Sequence, residues 1–198
     1  MFGLAVRIAS VKQDIRIPNR TGVEVGNRTI LGLNFRMNEP SGAIALVQLR
    51  KRDALITRLR EIKTALKSRI GSVPGGRFRT IHPKSAECAT LLTVLFDRPE
   101  DAKKVAEKLG TVTIERSGWH VYSNMEHVAA HLAAHGLPHG KGAYPVTDDL
   151  LSRAMNISVG VVDGGLGAGF GVNIESNDEQ IDAVAARFLE ACESVQRS

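Results

Sequence analysis

The chain has 198 residues, enough to bury a substantial core as one or two domains. Charged residues at 24% and hydrophobic ones at 43% describe an ordinary globular composition, and no window approaches a membrane-spanning helix, so no membrane partner is expected. The net charge of +5 raises nucleic acid as a partner, but the basic residues gather on one helix without interleaved aromatics to stack on bases, so nucleic acid is set aside for a solvated or partner-facing surface.

The first 28 residues say least. Met1 to Val6 is apolar but lacks the basic start and full apolar stretch of a signal peptide. Val6–Ala9 and Ile15–Ile17 alternate like short strands, and Asn19–Gly22 reads as a turn after them. An extended segment over 29–36 then leads into a helix from about Glu39 to Ile70. Asn38 is a good N-cap, Glu39 complements the helix dipole, and Pro40 fits a first turn that needs no N–H. Ser41, Gly42, Ala43 and Ala45 leave the first two turns nearly bare, although Gly costs ~1 kcal/mol there relative to Ala. Such a helix start is expected to lie close to a ligand or another backbone.

Further along this helix, Ile44, Leu49, Leu55, Ile56, Leu59, Ile62, Leu66 and Ile70 mark an apolar face. Arg50, Lys51, Arg52, Arg58, Arg60, Lys63, Lys67 and Arg69 mark a charged one. Gly71 ends the helix, and Ser72-Val73-Pro74-Gly75-Gly76 reads as a linker, giving a division into 1–76 and 77–198.

Beyond it strands and helices alternate. Glu87–Phe96 reads as a buried strand, Pro99–Leu109 as a helix closed by Gly110, and Thr111–Ile114 as a second strand. Ser117–Asn124 is a loop, followed by a helix around Met125–His135, an irregular stretch from Gly136 to Tyr144, and a helical turn opened by Asp148-Asp149. Met155–Val162 and Phe170–Ile174 read as strands joined by a flexible hairpin-like, glycine-rich connection. Asn177-Asp178 caps a last helix whose core face is Ile181, Val184, Ala185, Phe188, Leu189 and Cys192. The fold class is α/β, with a small α/β sandwich after residue 76. Cys88 and Cys192 are expected to be buried thiols in a reducing cytosol, which makes the location cytoplasmic.

The order Gly32-Leu33-Asn34-Phe35-Arg36-Met37-Asn38-Glu39, then small residues, then Ile44 and Gln48-Leu49, resembles a segment of the DegT/DnrJ/StrS-type aminotransferases. These are fold-type I enzymes that use pyridoxal 5′-phosphate (PLP), mostly to aminate keto-sugars or cyclitols, and the motif follows their cofactor lysine. The resemblance continues through Arg50, Asp53 and Arg58 and, more loosely, over the rest of the chain. It implies the C-terminal portion of the family fold: the edge of a large domain and a long interface helix in 1–76, then a small C-terminal domain in 77–198.

The resemblance also assigns candidate residues. Asn34 matches the Asn that reaches the PLP phosphate of a neighbouring subunit; a carboxamide offers two donors without charge, although an Asn here could also simply fix the turn. Arg36 would share a side with Asn34 in an extended segment, and could hold a phosphate or substrate anion or pair with Glu39. Trp119, His120 and Tyr122 group aromatic and imidazole rings in a glycine-containing loop. The family carries a substrate-approaching His in a comparable loop, while a Trp plugging a core edge explains the same residues.

Two other patterns lose to plainer readings. His127, His131 and His135 share a helix face with the i, i+4 spacing of zinc ligands, but Val128-Ala129-Ala130 occupy the gap where a metalloprotease carries Glu, so they read as an exposed stripe and no metal is expected. The run Gly160–Gly171 never meets the dinucleotide-binding register.

A PLP aminotransferase also needs a lysine to bond the cofactor. In the family this lysine precedes the Asn-Phe-Arg motif. Here Lys12 is the sole lysine before Gly32, and its setting Ala-Ser-Val-Lys-Gln-Asp does not match, so no catalytic residue is assigned. The reading is the small subunit of a split, heteromeric aminotransferase acting on a keto-sugar, cyclitol or similar small carbonyl compound. It would be inactive alone and share PLP with a lysine-bearing large subunit in a heterodimer or heterotetramer. The alternative is a non-catalytic, aminotransferase-derived partner or regulator.

Overall fold

A computed structural model describes residues 37–82, 87–118, 121–160 and 167–197. The strands and turn expected in 1–28, the extended segment 29–36 and most of the glycine-rich connection lie outside the described residues. Packing divides the chain into two units, Met1–Arg50 and Lys51–Ser198, with the boundary inside the long helix α1, Glu39–Ile70.

In the first unit the helix starts as its sequence dictates. The Ser41 N–H donates to Asn38 Oδ1 at 2.8 Å, so the cap satisfies an orphan donor of the first turn. Among the described residues, a Cβ added at Gly42 would meet only the Met37 sulfur, at 3.7 Å. Ile44, Leu46, Val47 and Leu49 are all exposed.

The second unit is built on a three-stranded antiparallel sheet in the order β1 (Gly76–Phe78), β2 (Leu91–Phe96), β3 (Ala154–Ser158). Strand β2 buries Leu92, Val94 and Phe96 and turns the alternate residues to a half-covered face, as period-two geometry requires. Thr93 faces Asn156 in register, and its hydroxyl donates to Asn156 Oδ1 at 2.8 Å. Helix α2 (Pro99–Lys108) packs on the sheet through Ala102, Val105 and Ala106, and contacts α4 (Pro145–Arg153) and α5 (Asp178–Gln196). Helix α3 (Glu126–Ala134) buries no residue; His127 and His131 are exposed on it, and His135 is exposed at its C-cap.

From α1, Ile62, Leu66 and Ile70 enter the core, where they join Ile181, Ala185, Phe188 and Cys192 of α5. Helix α5 opens with a capping box: Gln180 N–H donates to Asn177 Oδ1 at 2.9 Å, and Asn177 N–H to Gln180 Oε1 at 3.1 Å. Arg69 ties α1 to this helix start through Asp178, at 2.8 Å, and Asp182.

Four expectations are corrected. The strand expected from Glu87 begins only at Leu91, because Ala89 sits at φ 61° and Glu87 is drawn toward α1 by Lys63 and Arg60. Cys88, in that non-strand stretch, is exposed rather than buried; Cys192 is buried. The strand expected over Thr111–Ile114 reduces to one bridge, Thr113 to Met155, because the chain then curls into a 3-10 turn at Ile114–Arg116.

The fourth concerns the end of the sheet. In place of a strand over Phe170–Ile174 reached by a hairpin, a single parallel bridge joins Gly171 to Ser158. A Cβ at Gly171, where φ is +147°, would lie 2.3 Å from the Ser158 carbonyl oxygen, so only glycine permits this approach. β3 itself stops at Ser158, and the Val159 and Gly160 N–H groups turn to the Thr90 carbonyl instead.

Candidate functional site

A polar site lies where the 114–124 region meets α4. The 3-10 turn Ile114–Arg116 is closed by Ser117, a buried residue whose hydroxyl donates to the Ile114 carbonyl at 2.7 Å. Gly118 then adopts φ +87°, and its carbonyl accepts from the Asn124 side chain at 2.9 Å. Val121 is buried, and a second 3-10 turn, Tyr122–Asn124, follows it.

Tyr122 donates its hydroxyl proton to Asp148 Oδ1 at 2.9 Å, and its ring meets Tyr144 edge-on with centroids 5.2 Å apart. The second oxygen of Asp148 accepts the Gly142 N–H at 2.8 Å. One carboxylate therefore joins the loop, α4 and the 136–144 stretch. Burial, followed by the hydrogen bond to Asp148, pushes the Tyr122 phenol above its ordinary value, which keeps it a donor at neutral pH.

Beside this hub a cavity of about 220 Å³ is lined by Glu115, Arg116, Ser123, Asn124, Lys141 and Asp148, among others. Lys141 bonds Glu115 at 2.6 Å, and that contact holds its ammonium above the usual lysine value. Both signs of charge and several neutral donors and acceptors converge on a space the size of a small molecule. Such a lining suits a polyhydroxylated ligand better than an apolar one.

Of the residues expected to form a site, Tyr122 takes part in this arrangement. Trp119 and His120, and likewise Asn34 and Arg36, lie outside the described residues. Asp148, Glu115 and Lys141 were not singled out from the sequence as site residues. Asp148 reads there as the acid of a helix first turn, a role it shares, and only its distance of 26 residues from Tyr122 hid the pairing. Among the described residues no group of three His, Cys, Asp or Glu could hold a metal ion.

Lys63 does not fit the cofactor-bonding role. It is buried, is ion-paired with Glu87 and donates to the Leu91 carbonyl at 2.7 Å, so its nitrogen is committed. No step through a cofactor is derived from these residues.

The model of the DegT/DnrJ/EryC1/StrS aminotransferase family matches residues 9–162, which is most of the chain. The chain belongs to this family. The span matched by the DegT/DnrJ/EryC1/StrS model takes in the Asn-Phe-Arg-Met segment, the long helix and Tyr122. Members of the family are in general PLP-dependent, so an aminotransferase-related role follows for this chain. Its mixed α/β architecture with a small antiparallel sheet agrees with a partial family member. No described helix is long and apolar enough to cross a membrane.

Proposed function

We propose that this chain is the small subunit of a heteromeric PLP-dependent aminotransferase, with the cofactor-bonding lysine supplied by a separate large subunit. In this reading it corresponds to the C-terminal portion of a fold-type I enzyme. The cofactor would supply the electron sink for moving an amino group. Asn34 and Arg36 would hold its phosphate from this chain, and Trp119, His120 and Tyr122 would cover a keto-sugar, cyclitol or similar small carbonyl substrate.

The observation that carries the proposal is the apolar face of α1. By helical spacing, Leu55 continues the stripe that Ile62, Leu66 and Ile70 bury, yet it is 42% exposed, and in the first unit Ile44 and Val47 are 64% and 47% exposed. A stripe of this kind, directly after the family motif, asks for a protein partner. The polar cavity beside Tyr122 supports a hydroxyl-rich small molecule.

Co-expression with a lysine-bearing family protein, followed by an amination assay on keto-sugars and keto-cyclitols, tests this. The proposal expects turnover only in the complex, reduced by Asn34→Ala and by Tyr122→Phe. A stable complex whose activity does not depend on this chain would support a non-catalytic regulator instead.

A further inference from the structure

A second cleft, of about 860 Å³, opens within the Lys51–Ser198 unit between the C-terminal half of α1 and strand β1. Arg60, Lys63 and Lys67, spaced three and four residues apart, present one helix face to it, and Arg79 enters from the end of β1. Glu87 is the only carboxylate among its lining residues, and Lys63 already neutralises that charge. Arg60 Nε donates to the Glu87 carbonyl at 2.9 Å, while Lys67 stands with its ammonium 5.2 Å from the centre of the Phe78 ring. Among the described residues no carboxylate lies within ion-pairing reach of Lys67 or Arg79.

We propose that this cleft binds a phosphate-type oxyanion, with Lys67 and Arg79 as its principal ligands. Like charges gathered in a concave, partly apolar recess repel one another and focus a positive field. Burial and, to a smaller extent, the positive charges of Arg79 and Lys67 oppose the charge of Lys63, so the field of both cations reaches it across the cleft. A multiply charged oxyanion relieves this repulsion and meets two cations at once, and the guanidinium can hold two of its oxygens. Ser68 and Thr80 add hydroxyl donors, and Phe78 and Ile81 form an apolar wall suited to the organic part of a phosphorylated compound. The site involves none of the residues assigned to the aminotransferase reading and does not rest on it.

The test is urea unfolding of the full chain with inorganic pyrophosphate, inorganic phosphate or phenyl phosphate, each against chloride at equal ionic strength. No PLP is added, so the result is separate from the fate of the aminotransferase reading. The expected result is a saturable rise of the midpoint with pyrophosphate beyond that with chloride. The Lys67→Gln/Arg79→Gln variant should weaken apparent binding at least tenfold, Arg79→Gln alone severalfold, and Lys103→Gln on α2 not at all. Far-UV circular dichroism checks that each variant is folded. Tighter binding of phenyl phosphate than of phosphate assigns the site to phosphorylated organic compounds, and equal binding assigns it to the free ion; both support it. Stabilisation that follows ionic strength alone, or survives the double variant, overturns the proposal. So does stabilisation by a glutamate-rich peptide where pyrophosphate has no effect.

Discussion

Ile44 and Ile62 carry the same side chain on the same helix, 18 residues apart, one in each unit. Ile62 is 1% exposed and Ile44 64%. Truncating Ile62 to Ala removes buried carbons and leaves a cavity among Leu66, Phe188 and their neighbours, which should cost about 2–5 kcal/mol. Truncating Ile44 should change stability by no more than about 0.5 kcal/mol, since surface losses are small and Ala is the better helix former. Urea unfolding of the isolated chain measures both. With a slope of about 2 kcal/mol/M, a 3 kcal/mol loss lowers the midpoint by about 1.5 M for Ile62→Ala, with no resolvable change for Ile44→Ala. In the complex with a large subunit the order should reverse for association, with Ile44→Ala or Ile44→Asp weakening assembly. A loss of 2 kcal/mol or more from Ile44→Ala in the isolated chain would refute the argument, because the face would then already be covered.

Three further outcomes follow from buried or paired groups. Burial pushes the Cys192 thiol up to about 12, so a disulfide reagent at pH ~8 should modify Cys88 quickly and Cys192 only after unfolding. Burial, the largest effect, holds Lys63 below the ordinary lysine value of 10.5. The unfolded state therefore binds more protons just below that pH, and stability gains a rising contribution there. Unfolding free energies measured from pH ~8 to ~10.5 should show that contribution vanish in Lys63→Met/Glu87→Gln relative to the parent chain. Asn177→Ala should cost about 1 kcal/mol in thermal or urea unfolding, through the loss of the α5 capping box.

The long helices were legible because their signals are local. Asn38 and Gly71 bracket α1, Pro99 and Gly110 bracket α2, and Asn177 with Gln180 opens α5 ahead of a regular apolar stripe. The short strands were not legible. Whether 111–114 or 170–174 joins the ladder depends on how much of β3 each can reach, and each reaches one residue of it. Cys88 went wrong for a related reason: an apolar run reads as a buried strand, but the left-handed Ala89 and the pull of Lys63 on Glu87 break the pleat. At the candidate site Tyr122 was visible as an aromatic in a glycine loop. Its carboxylate partner Asp148 was not, because the pairing is tertiary and its residue type has a sufficient local explanation. The apolar stripe of α1 was visible in full, but its spacing could not say that burial begins only near Ile62.

The most direct measurement is the absorbance spectrum with PLP of this chain alone and of the chain co-purified with a lysine-bearing family protein. The account predicts a near-visible band of bound cofactor in the complex alone, lost when the partner's lysine is replaced and weakened by Asn34→Ala. A band from this chain alone, abolished by Lys12→Ala, would contradict it.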